Sequence, residues 1–242
     1  MQALREVRPF SIDGALKPTP HGRLNRLLER SLERLLHLNR LNRLYSALPP
    51  ELEADAFLKA ALDTFHIDYR VGGEGLGAIP AEGPLLIVAN HPFGALEGVI
   101  MAHMLRRVRP DVRIMANYLL KRVPEIADLF IGVDPFGGAG SRGRNMAPLK
   151  EAMGHLQRGG VLVVFPAGEV AHLQPVRGVV SDPPWSGSIA RLARRTGVPV
   201  QPVFFGGNNS ALFHLMGLLH PRLRTALLPR EFVNKAGGTI DA

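Results

Sequence analysis

The sequence predicts an α/β fold in which a mostly parallel central sheet is covered by helices on both faces, with an N-terminal helical lead-in. After Pro84, short apolar runs bounded by Pro or Gly alternate with helical stretches, a pattern typical of a parallel sheet. The chain has 242 residues, 46% of them hydrophobic, and no internal repeat. We therefore expect a helical region over 1–80 and an α/β core over 81–242.

The helical region begins with a leucine- and arginine-rich segment. From Arg23 to Leu48, leucines recur at helical spacing with arginines between them, which predicts a basic amphipathic helix. Pro49 and Pro50 end it, and a second helical pattern runs from Glu51 to Phe65. Two interpretations stay open: the leucines pack on the core, or they contact a membrane surface.

Five apolar runs are predicted as buried strands, and three stretches between them as helices. The strands are Leu85–Ala89, Val112–Ala116, Leu129–Val133, Val161–Phe165 and Pro199–Phe205, and the helices are Phe93–Arg107, Asn145–Arg158 and Ser188–Thr196. A further apolar stretch, Ala211–Leu219, is expected to be a core helix, with contact to an acyl chain or lipid as the alternative. Sites on parallel sheets gather at the carboxyl ends of the strands.

The first strand ends in Asn90-His91-Pro92-Phe93-Gly94, with Glu97 close behind. We expect Asn90, Pro92, Phe93 and Gly94 to contact the substrate. Because Pro92 suits a first helical turn, we expect His91 at a helix N-terminus, where the helix dipole favours the neutral imidazole. Glu97 is near enough to orient the ring, and such a pair can take a proton from a hydroxyl or an amine. A histidine that only caps the helix, with Glu97 in solvent, is the structural alternative.

Two further strands end in candidate binding segments. The fourth runs into Phe165-Pro166-Ala167-Gly168-Glu169, a tight turn that brings N–H groups and a carboxylate to the same edge, or is an ordinary turn. The third runs into a glycine-rich loop that begins with Asp134 and Phe136 and carries Arg142 and Arg144, which can hold phosphate or stay solvated.

Composition narrows the function classes. A net charge of +8, mostly from arginine, suits phosphate-bearing partners such as anionic lipid. The chain has no Cys, its nine His show no metal-ligand spacing, and no Gly-x-Ser-x-Gly motif occurs. Few aromatic residues and no recognised motif argue against nucleic acid. Without a secretory signal or a spanning apolar run, we expect a cytoplasmic protein.

The motifs together resemble the glycerolipid (lysophospholipid) acyltransferases, in particular the bacterial hemolysin-like, ornithine-lipid-type branch. The resemblance covers Arg43 to Lys235 and rests on four blocks in order. These are Asn90-His91-Pro92 with Glu97, Val133-Asp134-Pro135-Phe136, Phe165-Pro166-Ala167-Gly168-Glu169, and Val198-Pro199-Val200-Gln201-Pro202-Val203.

The resemblance implies a specific reaction. A fatty acyl group would pass from acyl-CoA or acyl carrier protein to a hydroxyl or amine of a lysolipid, with His91 as general base, Glu97 as its acid partner and no cofactor or metal. Phe165–Glu169 would shape the acceptor site and Val198–Val203 would line the acyl channel. The protein would lie peripherally on the inner face of the cell membrane. A catalytically silent anionic-lipid-binding protein of the same fold is the alternative.

The sequence departs from the broad family at three places. Five residues separate His91 from its acid, which is Glu, where the broad family has four and Asp. Ala167-Gly168-Glu169-Val170 stands where the broad family commonly has Glu-Gly-Thr-Arg, so glycerol phosphate is the less favoured acceptor. Similar proteins continue past Asn234-Lys235 into another strand, and we expect this chain to be shortened there.

Overall fold

The centre of the fold is a five-stranded sheet in which every neighbouring pair is parallel. The computed structural model describes residues 9–10, 22–117, 120–133 and 146–242. The strands are ordered β4-β3-β5-β2-β8 and comprise β2 (Leu85–Ala89), β3 (Val112–Asn117), β4 (Phe130–Val133), β5 (Val161–Val164) and β8 (Val200–Val203). The predicted α/β class is confirmed, and all five strands were predicted to within about two residues at each end.

Helices cover both faces of this sheet. Ile87 of β2 packs in the main core with Ile100 of α4 (Ala95–Arg106) and Leu58 of α3 (Ala54–Thr64). Its neighbour Leu86 faces the other way and packs with residues of α5 (Met146–Gln157) and α6 (Gly187–Thr196). Alternate side chains of one strand thus enter two cores, as the pleat requires.

The N-terminal segment forms two helices where one was predicted. These are α1 (Gly22–Leu35) and α2 (Leu38–Ala47), separated at His37, which has a left-handed backbone with φ 58°. The break lets both Leu36 and Leu38 enter one apolar cluster, although two positions apart on a helix they would point in different directions. Leu41 and Tyr45 of α2 pack in the main core, whereas Leu35 is 52% exposed.

The C-terminal part adds three helices, α7 (Ala211–Leu219), α8 (Pro221–Ala226) and α9 (Leu228–Asn234). A short strand follows Lys235, in the part of the chain that we expected to be shortened. A turn at Gly237, with φ 78°, leads into β9 (Thr239–Asp241), which pairs in parallel with β1 (Asp68–Arg70). Glycine adopts this positive φ without steric cost, so the chain can reverse within a few residues.

The remaining ordered segments are short. An antiparallel hairpin is formed by β6 (His172–Gln174) and β7 (Val179–Ser181), and 3₁₀ turns lie at Gly75–Ala78, Leu120–Arg122 and Pro124–Leu129. No helix in the described part of the chain combines the length and the apolar character needed to cross a bilayer.

Candidate active site

His91 and Glu97 lie together just beyond the carboxyl end of β2. The imidazole Nδ1 is 3.3 Å from Glu97 Oε1, close enough for an ion pair but without the alignment of a hydrogen bond. The Glu97 side chain is fully buried and that of His91 is 17% exposed. One face of the ring stacks on Phe165, with ring centroids 4.4 Å apart and planes inclined by 24°. The ring is therefore fixed on two sides and open on another.

The helix that carries Glu97 begins later than predicted. α4 starts at Ala95, so Pro92 lies outside the helix and His91 is not at its N-terminus. The reason is that the N–H groups of Phe93 and Gly94 both donate to Glu97 Oε1, the latter at 3.1 Å. The carboxylate thus caps its own helix from the first turn, where a negative charge is favourable.

Gly94 makes this tight turn possible. Its φ of 106° is in a region that L side chains rarely adopt. A Cβ at this position would also lie 2.9 Å from a methyl carbon of Leu228 in α9. The glycine therefore allows both the backbone bend after His91 and the close approach of α9.

The hairpin segment holds the backbone of His91 from both sides. The His91 N–H donates to Asp182 Oδ1 at 3.1 Å, and the His91 carbonyl accepts from the N–H of Ala171 at 2.8 Å. The second oxygen of Asp182 accepts from the indole N–H of Trp185 at 2.9 Å. Residues just before β6 and just after β7 thus set the position of the histidine.

The turn after β5 lies beside the histidine, as its place at the sheet edge predicted. Phe165 stacks on the ring, and the turn closes through Gly168 N–H to the Phe165 carbonyl at 3.0 Å, with Gly168 at φ 69°. Pro166 is buried, Ala167 is half-buried, and the Pro166 carbonyl accepts from Ser186 N–H at 2.9 Å. The chain between β5 and α6 therefore returns to the same edge.

Glu169 is paired with an arginine that the sequence did not suggest. Its carboxylate bonds to Nη2 of Arg224 in α8, whose side chain is 8% exposed against 52% for Glu169. A guanidinium has five donors, and this pair occupies only part of them. The pair thus places a largely buried cation next to the turn that begins at Phe165.

Asn90 connects the ends of β2 and β8. Its amide donates to the Phe205 carbonyl at 2.9 Å and accepts from the Phe205 N–H at 2.7 Å. The amide nitrogen and the amide oxygen of the side chain thus both form hydrogen bonds with the backbone of Phe205. Asn90 therefore bridges two strands beside His91, and its contact with substrate stays a prediction.

Lys235, which follows α9, lies over Phe93, two residues after His91 in the sequence. Lys235 Nζ lies 4.9 Å from the centroid of the Phe93 ring and donates to the Asn208 carbonyl at 2.7 Å. Burial lowers the pKa of Lys235, while the carboxylates of Glu231 and Glu97 oppose that shift. Lys235 thus adds a partly buried cation to the surroundings of Phe93.

Four of the predicted substrate contacts belong to the stretch of sequence between β4 and α5. Asp134, Phe136, Arg142 and Arg144 lie outside the described residues. Within the described ranges, no group of three or more His, Asp or Glu side chains is arranged to hold a metal ion.

The family follows from a comparison with known proteins. The model of the acyltransferase family matches residues 17–230, which is most of the chain and includes both His91 and Glu97. The chain belongs to the acyltransferase family. Two curated relatives of this chain have names that refer to a lysolipid acceptor, in agreement with the predicted resemblance. They are the lyso-glycine lipid O-acyltransferases of Bacteroides thetaiotaomicron and Phocaeicola vulgatus, each 28% identical over 184 residues.

These matches differ in how much of each protein they cover. The aligned part is 76% of this chain but 64% and 62% of the two relatives, so the chain spans less than two thirds of their length. Among solved structures, the 1-acyl-sn-glycerophosphate acyltransferase PlsC of Thermotoga maritima is similar, with 24% identity and a TM-score of 0.45. That likeness covers 64% of this chain and 56% of the other.

The sequence analysis missed the residues that reach the site from distant parts of the chain. Asp182 bonds to His91, which is 91 residues away in the chain. Arg224 bonds to Glu169 across 55 residues, and Lys235 bonds to Asn208 across 27. No local signal marks Arg224, because Arg222 has the same kind of neighbours and is exposed. None marks Asp182 or Lys235 either.

Proposed function

We propose that this protein transfers a fatty acyl group from a thioester to a hydroxyl group of a lysolipid, with His91 as general base. The contact between His91 and the buried Glu97 at the edge of the sheet carries the proposal. Its support is that this contact occurs in a member of the acyltransferase family. A histidine held by a carboxylate is a common means of activating a hydroxyl group.

The geometry suits a definite path for the proton. Nδ1 is buried and faces Glu97, so Nε2 is the ring nitrogen that an acceptor can reach. Nε2 takes the hydroxyl proton while the oxygen attacks the thioester carbonyl, the C–S bond breaks, and the imidazolium returns the proton to the leaving thiolate. Glu97 stabilises the imidazolium while it exists. No side chain of the enzyme is acylated.

The acceptor in this proposal is a lyso-aminolipid. The support is that both curated relatives are named as O-acyltransferases of lyso-glycine lipid. Glu169 and Arg224 offer a headgroup both a carboxylate and a guanidinium at the turn beside His91. An amine acceptor, which the sequence left open, has no such support.

The donor is acyl-CoA or acyl carrier protein, used as a substrate, and the reaction needs no cofactor. We place the protein peripherally at the inner face of the cell membrane, where such donors and lysolipids meet. Fractionation of cells would contradict this location if the protein were recovered entirely apart from membranes.

The first prediction concerns His91. His91→Ala should abolish acyl transfer to a lyso-aminolipid while leaving the fold intact, because the ring packs mainly on Phe165 at the surface of the site. The measurement is the rate of acylated lipid formation from acyl-CoA, followed by mass spectrometry, with circular dichroism to check folding. His66→Asn is a matched control: His66 is exposed and has φ 51°, which Asn tolerates.

Two results would contradict the proposal. Turnover by His91→Ala at the wild-type rate would remove the base assignment. Lipid binding by a wild-type protein that transfers no acyl group from either donor would favour the catalytically silent lipid-binding protein.

A further inference from the structure

The outward face of α7 is apolar, which is unusual for a helix at a protein surface. Phe213 and His214 point into the molecule and are buried. Leu215, Leu218 and Leu219 point outward and are 55%, 49% and 72% exposed. Surface helices normally place polar side chains on that side, and contiguous exposed apolar side chains mark an interaction site.

The apolar surface continues onto the next helix. α8 packs against α7, and its Leu223 is 44% exposed, while Arg222 beside it is exposed as well. We call this surface, formed by Leu215, Leu218, Leu219, Arg222 and Leu223, the α7–α8 face. The end of α1 lies nearby, since Leu36 is buried in the same cluster as Phe213.

The charged residues in and around the α7–α8 face are basic. From Pro183 to Arg230 the sequence contains no Asp or Glu, and the whole chain carries +8. The exposed charged side chain within α7 and α8 is Arg222. Apolar side chains with flanking cations fit the interface of a bilayer that contains anionic lipid, where the leucines enter the acyl boundary and the arginine meets phosphate.

The helix that carries this face, α7, packs with its buried side near the candidate site. Val170, between Glu169 and Ala171, packs against the cluster that contains Phe213 of α7. Ala171 in turn donates its N–H to the His91 carbonyl. A surface that rests on α7 is therefore close to the loop that holds the histidine.

We propose that the α7–α8 face docks the protein on a bilayer that contains anionic lipid. This deepens the proposed function, because it would bring the His91 edge to the surface where acyl chains and lysolipids are held. It takes up the alternative that the sequence left open for Ala211–Leu219, contact with lipid. Membrane contact was also left open for the leucine- and arginine-rich segment ending at Leu48, which is a different surface. Docking itself requires no turnover, so it can be measured apart from catalysis.

The test is flotation of the full chain with vesicles of phosphatidylcholine alone and of equal parts phosphatidylcholine and phosphatidylglycerol. The double variant Leu215→Gln/Leu219→Gln should bind the mixed vesicles about ten-fold more weakly than wild type. Arg222→Gln should weaken binding to the mixed vesicles by about five-fold and leave binding to phosphatidylcholine unchanged. These side chains are exposed, so their substitution should not disturb the fold. The N-terminal end of α7 is held separately by Glu231, which accepts from Ser210 N–H at 2.8 Å and Ser210 Oγ at 2.6 Å.

The control removes two exposed valines elsewhere, in the variant Val71→Gln/Val108→Gln, and should bind like wild type. Wild-type binding by the α7 double variant, or no binding by the wild-type chain, would overturn the proposal. So would a wild-type dimer that the α7 variant converts to a monomer without any vesicle binding, because the face would then join two copies. His91→Ala should lose transfer and keep vesicle binding, so the two proposals can fail separately.

Discussion

The carboxylate of Glu97 serves three neighbours through one oxygen. Oε1 accepts from the N–H groups of Phe93 and Gly94 and lies 3.3 Å from Nδ1 of His91. Oε2 is buried and has no hydrogen-bond partner among the described residues. The side chain therefore caps α4 and also contacts the histidine that we propose as the base, and substitution can separate these two roles.

Two substitutions at Glu97 should have different effects. Glu97→Gln keeps an oxygen that can accept both N–H groups, so we expect a folded protein whose kcat is lower by roughly 10²- to 10⁴-fold, since the imidazolium loses its counter-charge. Glu97→Ala leaves both N–H groups unpaired and should also lower the free energy of unfolding by about 1–3 kcal/mol. Steady-state kinetics and urea unfolding measure the two effects. Equal kcat for Glu97→Gln and wild type would contradict the assigned role.

At the scale of elements, one arginine ties together the starts of three segments. Arg109 is 3% exposed and donates to both oxygens of Asp111 and to the carbonyls of Pro80, Gly83 and Gly159. Gly83 precedes β2, Asp111 precedes β3 and Gly159 precedes β5. The same contact, a side-chain hydrogen bond from Arg109, holds the pKa of Asp111 below its usual value.

Removal of this arginine should weaken the sheet rather than the chemistry. Arg109→Met leaves three carbonyls without their donors, so we expect a loss of about 2–4 kcal/mol in the free energy of unfolding. Arg109→Lys should recover only part of it, because an ammonium cannot reproduce the planar fork. Urea unfolding measures both, and an unchanged midpoint for Arg109→Met would show that these hydrogen bonds do not stabilise the fold.

The elements also show what could and could not be predicted from sequence. The strands were predictable because each is a short apolar run, and the His91–Glu97 contact because its members are six residues apart. The break at His37 could not be predicted, because it depends on Leu36 and Leu38 both packing with residues of the C-terminal helices. Asp182 and Lys235 act through contacts between distant segments, and no local pattern encodes such a contact.

For the whole molecule, three histidines that are buried or half-buried should set the response to acid. Burial is the main cause that lowers the pKa of His37, His103 and His214 below 6.5, although carboxylates oppose it, as Glu231 does at His214. The unfolded chain therefore takes up protons at these sites first. Above about pH 6.5 these histidines are mostly neutral in both states and do not lower the free energy of unfolding. As the pH falls from there towards the folded-state pKa values, the free energy of unfolding decreases.

The melting temperature should accordingly fall between about pH 7.5 and about pH 5.5. His214→Leu should reduce this slope and change stability little at neutral pH, because neither ring nitrogen of His214 has an aligned hydrogen bond within the described residues. Differential scanning calorimetry across this range measures both effects. A slope that is the same in the variant and the wild type would exclude His214 as a source of the acid response.

Because Trp185 is linked to His91 through Asp182, its fluorescence can report on the site. The sequence contains a single tryptophan, and its indole N–H bonds to the same carboxylate that holds the His91 N–H. All tryptophan fluorescence of the protein therefore comes from a residue one side chain away from the proposed base. Emission from this half-exposed ring would report, without any label, when a lipid or a thioester settles at the site.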